Sequence, residues 1–308
     1  DLLARGLALT HRPFEAVELS RANLDAAHTP SLWVMMEKQC DAAVQQKLAE
    51  YVRQGGRLIL VGRMCEETFD HTPCTILQNA VGIQFISSAP PFAHSNIQAF
   101  AYGDVPVSFV ETYTGDFDEV VAISGEGQTV GFVKHIGKGE VMMFGAALAA
   151  DTLDDLDVLH QMANRMGCAP LFTLSDWADV RLSEGESGSF LFVSNYQDDP
   201  IETTISAAGV PLLGGHSLSI PARRGVIVPL EWQLRPEVVI HYLTSEVIEV
   251  IEEGAKLTLR TEQAEFFAEV TLTNYRCADS LILEQVGSQR LHLHGSNGVL
   301  ELASSREA

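Results

Sequence analysis

The stretch AVQQKLAEYVRQGGRLILVGRMCEE, residues 43–67, decides how the first half of the chain is read. Ala43, Leu48, Tyr51 and Val52, with Val44, recur near the 3.6-residue period of an amphipathic helix. Gln45, Gln46, Lys47 and Glu50 fill the face expected to meet water. Asp41 is placed as an N-cap, and Gly55-Gly56 supplies the left-handed residue that ends helices. RLILVG, 57–62, then reads as a short buried strand. Helix, glycine stop and strand make half of a strand–helix–strand unit. The loop after such a strand is a common place for a nucleophile or a ligand site.

Working outward, FEAVELS (14–20) and SLWVMM (31–36) are apolar runs spaced like earlier parallel strands. Parallel strands need crossover helices packed on the sheet faces, so an α/β domain is expected over 1–168. The region closes with DTLDDLDVLHQMANRMGC, 151–168. Its aspartates crowd the first turn of a helix, where they complement the dipole, and Gly167 ends it. The central glycine and distal glutamate of a calcium loop are missing, so capping is the better account.

Cys65 sits where an activated thiol would stand, immediately after the strand. An amidotransferase-like elbow would set it between glycines, with backbone amides free to hold an oxyanion. Here Met64 precedes it and Glu66-Glu67 follow, and neighbouring carboxylates make a thiol a poorer nucleophile. Glu67 and His71 could complete a Cys-His-Glu triad, but a structural Cys65 is expected. No cofactor is expected either. No G-x-G-x-x-G follows a strand and no GK[ST] occurs; GEGQTVG (125–131) and IGKGE (136–140) read as hairpin turns.

From about Asp176 the period becomes two. GSFLFVSN (188–195), IETTISA (201–207), HSLSIPA (216–222), GVIVPLE (225–231), EVVIHYL (237–243), SEVIEVIEEGAKLTLR (245–260) and EFFAEVTLTN (265–274) alternate as strands. Turn signals separate them, so an antiparallel β-sandwich region is expected over 169–308, divided near 232. Its candidate chemistry is thin. His292 and His294 share a strand face with no third metal ligand in view. Trp177, Tyr196 and Trp232 could stack on sugar rings. Asp198 and Asp199 are adjacent on a turn, whereas a glycosidase acid pair must converge across a substrate.

Composition narrows the partners. The chain has 308 residues, is 46% hydrophobic and carries a formal charge of −21. That charge argues against nucleic acid and anionic membrane surfaces, and it tolerates a neutral sugar. No run is apolar and long enough for a membrane-spanning helix. The five scattered cysteines suggest reduced thiols and a cytoplasmic setting.

LWVMMEKQCDAAVQQKLAEYVRQGGRLILVGRM, 32–64, resembles the flavodoxin-like domain that follows the catalytic barrel in bacterial β-galactosidases of glycoside hydrolase family 42. GSFLFVSNYQDDPIETTIS and IHYLTSEVIEVIEEGAKLTLRTEQAEFFAEV are similar to the sandwich domains of family 35 β-galactosidases. The resemblance implies a flavodoxin-like domain without its first strand, and a chain that is the non-catalytic part of a retaining β-galactosidase. The barrel that would hold both catalytic glutamates is absent, so no catalytic residue is carried over. The implied partners are that barrel, the carbohydrate it acts on and further copies of the chain, because the family 42 domain is associated with trimers. A carbohydrate-binding module and a Cys65-dependent hydrolase are the alternatives.

Overall fold

The computed structural model describes residues 2–88, 95–148, 152–278, 281–286 and 288–305. The chain forms two compact units, Asp1–Ala169 and Pro170–Ala308. No helix among the described residues is long and apolar enough to cross a membrane.

In chain order the first unit begins with α1 (Leu2–Leu9), β1 (Ser31–Met36), α2 (Ala42–Arg53), β2 (Arg57–Gly62) and α3 (Ile76–Val81). There follow β3 (Ile83–Ser88), β4 (Ser95–Ala99), β5 (Tyr102–Val107) and β6 (Glu111–Gly115). Then come β7 (Glu119–Ser124), β8 (Thr129–Ile136), β9 (Gly139–Phe144) and α4 (Leu153–Arg165). The strands form one sheet in the order β1-β2-β9-β8-β7-β4-β5, with β6 branching from β8 to pair with β3.

The flavodoxin-like α/β expectation is overturned. Among the described strands of this unit only β1, β2 and β9 run parallel, β1 and β2 joined by the crossover through α2. From β9 onward every pairing is antiparallel, because hairpins at Gly125–Gln128 and Gly137-Lys138 replace crossover helices. Strand greatly outweighs helix among the described residues. FEAVELS is not a strand either. Residues 12–18 have no regular structure, and Phe14 and Val17 are exposed. The Lys47 ammonium holds the segment that follows, donating to the carbonyls of Leu19, Ser20 and Ala22.

The parallel core alternates as a strand buried on both faces should. Ile59 and Val61 face a cluster that includes Met142, Phe144 and, from α4, Val158, Leu159 and Met162. Leu58 and Leu60 face the other, with Val141, Met143 and, from α2, Leu48, Tyr51 and Val52. Each such side chain contributes about 1.5–3 kcal/mol by leaving water. Two helix positions depart from the amphipathic expectation: Gln45 is fully buried and Ala43 is exposed. The Gln45 amide donates to the carbonyls of Cys40 and Cys74 and accepts from the Leu77 amide, so burial leaves none of these groups without a partner.

The described residues of the second unit form strands, with a short 3₁₀ turn at Leu213–Gly215. It comprises β10 (Phe172–Leu174), β11 (Asp179–Gly185), β12 (Gly188–Ser194), β13 (Ile201–Thr203), β14 (Ile205–Ala207) and β15 (Val210–Pro211). Next are β16 (Leu218–Ile220), β17 (Gly225–Arg235), β18 (Val238–Leu243), β19 (Val247–Glu253) and β20 (Lys256–Thr261). It ends with β21 (Phe266–Leu272), β22 (Tyr275–Cys277), β23 (Ile282–Val286), β24 (Arg290–Gly295) and β25 (Val299–Ser304). The main sheet runs β11-β12-β17-β18-β21-β24-β23, and β19-β20-β25-β22 forms a second. All these pairings are antiparallel. Two cores lie along the main sheet: Leu191, Val193 and Val228 with Ile205, Leu218 and Ile220 in one, and Ile240, Ala268 and Leu293 with Leu257, Leu259 and Leu300 in the other. Residue 232 falls inside β17, which continues through it and pairs with β18 beyond.

Candidate functional site

Strand direction places a cleft in the first unit. β1, β2 and β9 point their carboxyl ends the same way, and the chain leaving each turns aside to leave a crevice. Met35, Met36 and Glu37 enter from β1, Val61, Gly62 and Arg63 from β2, and Ala146, Ala147 and Leu148 from the segment after β9. Ser108 and Phe109 form a further wall, and Leu3 and Leu159 contribute from α1 and α4. The cleft measures about 520 Å³.

Gly62 makes the turn possible. Its φ is +106°, and a Cβ there would lie 2.6 Å from the Met36 carbonyl oxygen. A side chain would therefore separate β1 from β2 at the cleft floor. The turn sends the Arg63 guanidinium across the face of Phe109, 4.4 Å from the ring centroid. Behind this wall Glu111 is buried. Its Oε2 accepts from the Met64 amide at 2.8 Å and from the Tyr113 hydroxyl at 2.8 Å. Burial pushes the Glu111 carboxyl up from the usual glutamate range, opposed by those two hydrogen bonds and by Arg63 nearby. Tyr113 is driven well up by burial and then by the Glu111 charge. Chemically, the cleft offers an apolar floor with Arg63 and Glu37 as its charged groups, and a buried carboxylate holding the loop that carries Arg63.

Sequence reasoning reached this loop through Cys65 and missed Arg63, Phe109 and Glu111. The available signal was Gly62, a glycine closing a buried strand before a cation. Cys65 itself is fully buried. Hydrogen bonding with Cys40 and then burial push its thiol far up, so it is neutral and shielded. His71 and Glu67 do meet, Nδ1 to Oε1 at 3.2 Å, with Gln39 Nε2 3.1 Å from the same Nδ1. His71 is exposed, and no hydrogen bond joins it to Cys65 among the described residues.

The other sequence candidates fall apart from one another. In the acidic run at 151–157, Thr152 and Asp155 form a capping box at the start of α4, while Asp151 lies outside the described residues. His292 lies between Glu269 at 3.4 Å and Glu284 at 3.6 Å, whereas His294 stacks on Phe267 at 4.7 Å. No group of three or more metal-ligating side chains occurs among the described residues. Asp198 pairs with Arg223 at 2.8 Å, and the Asn195 amide holds the Asp199 carbonyl at 2.8 Å. Tyr196 reaches Asp179 at 3.4 Å, and Gln197 donates to the Trp177 carbonyl at 3.1 Å. Trp232 lies elsewhere, against Phe190 with ring centroids 5.7 Å apart.

Known proteins match over both units. Residues 1–118 match the family described as GLMA-like, second domain. A beta-1,2-glucosyltransferase of Ignavibacterium album is 27% identical over 204 residues, 64% of this chain and 28% of that protein. An exo-beta-D-glucosaminidase of Thermococcus kodakarensis is 27% identical over 269 residues, 82% of this chain and 33% of its own length. Among solved structures, a GH42 beta-galactosidase of G. stearothermophilus superposes with a TM-score of 0.56 at 11% identity. It covers 74% of this chain and 35% of that one. The chain therefore spans about a third of the length of the proteins it matches. The fold likeness falls on family 42; family 35 is not what these matches carry. The chain is thus similar to parts of a beta-1,2-glucosyltransferase and an exo-beta-D-glucosaminidase, and its fold to part of a GH42 beta-galactosidase.

Proposed function

We propose that this chain is a non-catalytic portion of a larger enzyme acting on β-linked glycosides, with terminal β-galactosides as the expected substrates. What supports the reading is the character of the cleft at the carboxyl ends of β1, β2 and β9. Glu37 is the one carboxylate among its lining residues; Glu111, behind the wall, is committed to the Met64 amide and the Tyr113 hydroxyl, and the Arg63 guanidinium to the Phe109 face. A retaining glycosidase instead needs two carboxyl groups about 5–5.5 Å apart, aimed at one bond. The cleft suits a supporting role: a surface against which a catalytic barrel, or another copy of the chain, is positioned. The named activities of the matching proteins, glucosyl transfer and glucosamine release, share β-glycoside chemistry with the proposed parent.

The test compares the 308-residue chain with the full gene product on a nitrophenyl β-galactoside and a nitrophenyl β-glucoside. Turnover by the full product alone is the expected result. Hydrolysis by the 308 residues at stoichiometric active-site levels, or inactivity of the full product on every β-glycoside tried, would overturn the proposal.

A further inference from the structure

We infer that the second unit carries a separate binding site for one neutral pyranoside ring, in the groove between β17 and β19 that Trp232 lines. The inference rests on the carbohydrate reading above and goes beyond it by naming the place and the recognising groups. The groove, about 250 Å³, is lined by Phe190 of β12, Pro229 and Trp232 of β17, and Glu246, Ile248 and Val250 at and within β19.

Backbone irregularity puts the indole there. β12 and β17 pair regularly from Ser189 opposite Leu230 to Ser194 opposite Gly225, and that ladder ends at Leu230. Glu231 then takes a left-handed φ of 49°, unusual for a residue with a Cβ. The next residue, Trp232, is drawn so close to the hairpin glycine Gly188 that a Cβ on Gly188 would lie 2.6 Å from the Trp232 Cα. His241 fixes the turn, its Nδ1 2.8 Å from Glu231 Oε2 and its Nε2 2.8 Å from Thr271 Oγ1. Backbone strain of this kind costs free energy and persists where the surroundings enforce it, commonly at binding sites.

The chemistry of the walls selects the ligand. The Trp232 indole N–H and the Glu246 carboxylate, both half-buried, have no hydrogen-bond partner among the described residues. A donor and an acceptor left open beside two aromatic faces match a ring with an apolar C–H side and hydroxyls around its edge. Glu249, on the rim, is already paired with Arg260 at 3.1 Å. The open charge is therefore negative, which disfavours an anionic ligand and accommodates a neutral sugar.

The test titrates the intact 308-residue protein with methyl β-D-galactopyranoside and methyl β-D-glucopyranoside, read by calorimetry and tryptophan fluorescence. Saturable binding is expected, with affinity falling at least about tenfold in Glu246→Gln and in Trp232→Ala. Trp232→Phe, which keeps an aromatic face and removes the N–H, is expected to fall between Trp232→Ala and the unaltered chain. It also guards against misreading a folding defect. Unchanged affinity in both Glu246→Gln and Trp232→Phe would overturn the groove and leave the carbohydrate reading standing. Absence of saturable binding to either glycoside would overturn it as well, whatever the full gene product hydrolyses.

Discussion

The amide of Met64 donates to the buried carboxylate of Glu111 at 2.8 Å, tying the loop after β2 to the first residue of β6. The Tyr113 hydroxyl donates to the same oxygen. Glu111→Ala leaves both donors buried and unpaired, and a loss of about 2–4 kcal/mol in urea unfolding is expected. Glu111→Gln keeps an acceptor and tests the charge. Burial raises the folded carboxyl above its unfolded value, so the carboxylate is penalised at neutral pH and the penalty fades as pH falls. Wild type should gain stability relative to Glu111→Gln between neutral pH and the glutamate range. A constant difference across that window would refute the burial account.

Gly62 bears directly on the cleft. Its φ of +106° and the 2.6 Å approach of a Cβ to the Met36 carbonyl make Gly62→Ala a strained substitution. The expected cost is about 1–3 kcal/mol. Arg63 should also leave the Phe109 face, seen by NMR as loss of ring-current shifts on the arginine side chain. Wild-type stability with intact shifts would show that the turn tolerates a side chain.

The five thiols should separate by burial. Cys65 is fully buried with its thiol pushed up, whereas Cys74 and Cys168 are partly exposed. Brief iodoacetamide treatment at neutral pH, followed by mass spectrometry, should label Cys74 and Cys168 before Cys65. Selective early labelling of Cys65 would favour the Cys65-dependent alternative over the structural role expected of it.

Arg12 binds the start of the first unit to its last helix. The side chain is buried and donates to the carbonyls of Cys168 at 2.9 Å and Thr10 at 2.8 Å, and to Asn164 Oδ1 at 2.6 Å. Arg12→Met should cost about 2–4 kcal/mol by orphaning these acceptors. His160 Nδ1 lies 3.2 Å from the same guanidinium, and burial, then Arg12, hold the imidazole below its ordinary value. The unfolded chain therefore takes up this proton first, and stability should fall as pH drops below about 6.5. In Arg12→Met the His160 titration, followed by NMR, should move upward. No movement would mean that Arg12 has no electrostatic hold on it.

Much of the local structure was legible. The period of 3.6 located α2, the run RLILVG located β2, and turn residues marked the hairpins at Gly127 and Gly137. Period-two alternation likewise traced β12, β17, β18 and β21. Two readings failed for one reason: hydrophobicity along the chain does not say what stands opposite. FEAVELS has the composition of a strand, yet no neighbouring strand pairs with it. Gln45 has the polarity of a surface residue, yet three backbone groups converge on its amide.

The candidate site was legible only as a place. The sequence by itself determined that a buried strand ends at Gly62 and that a loop with a cation and a thiol follows. Tertiary structure decided that β9 returns parallel to β2 while β8 and β7 do not, which both opens the cleft and removes the flavodoxin-like architecture. It also brought Glu111 under Met64, 47 residues away, and Phe109 under Arg63. Side-chain periodicity is a property of neighbours along the chain, whereas strand order and buried hydrogen bonds are settled by which distant segments pack together. That pairing made the loop after β2 the wall of a cleft.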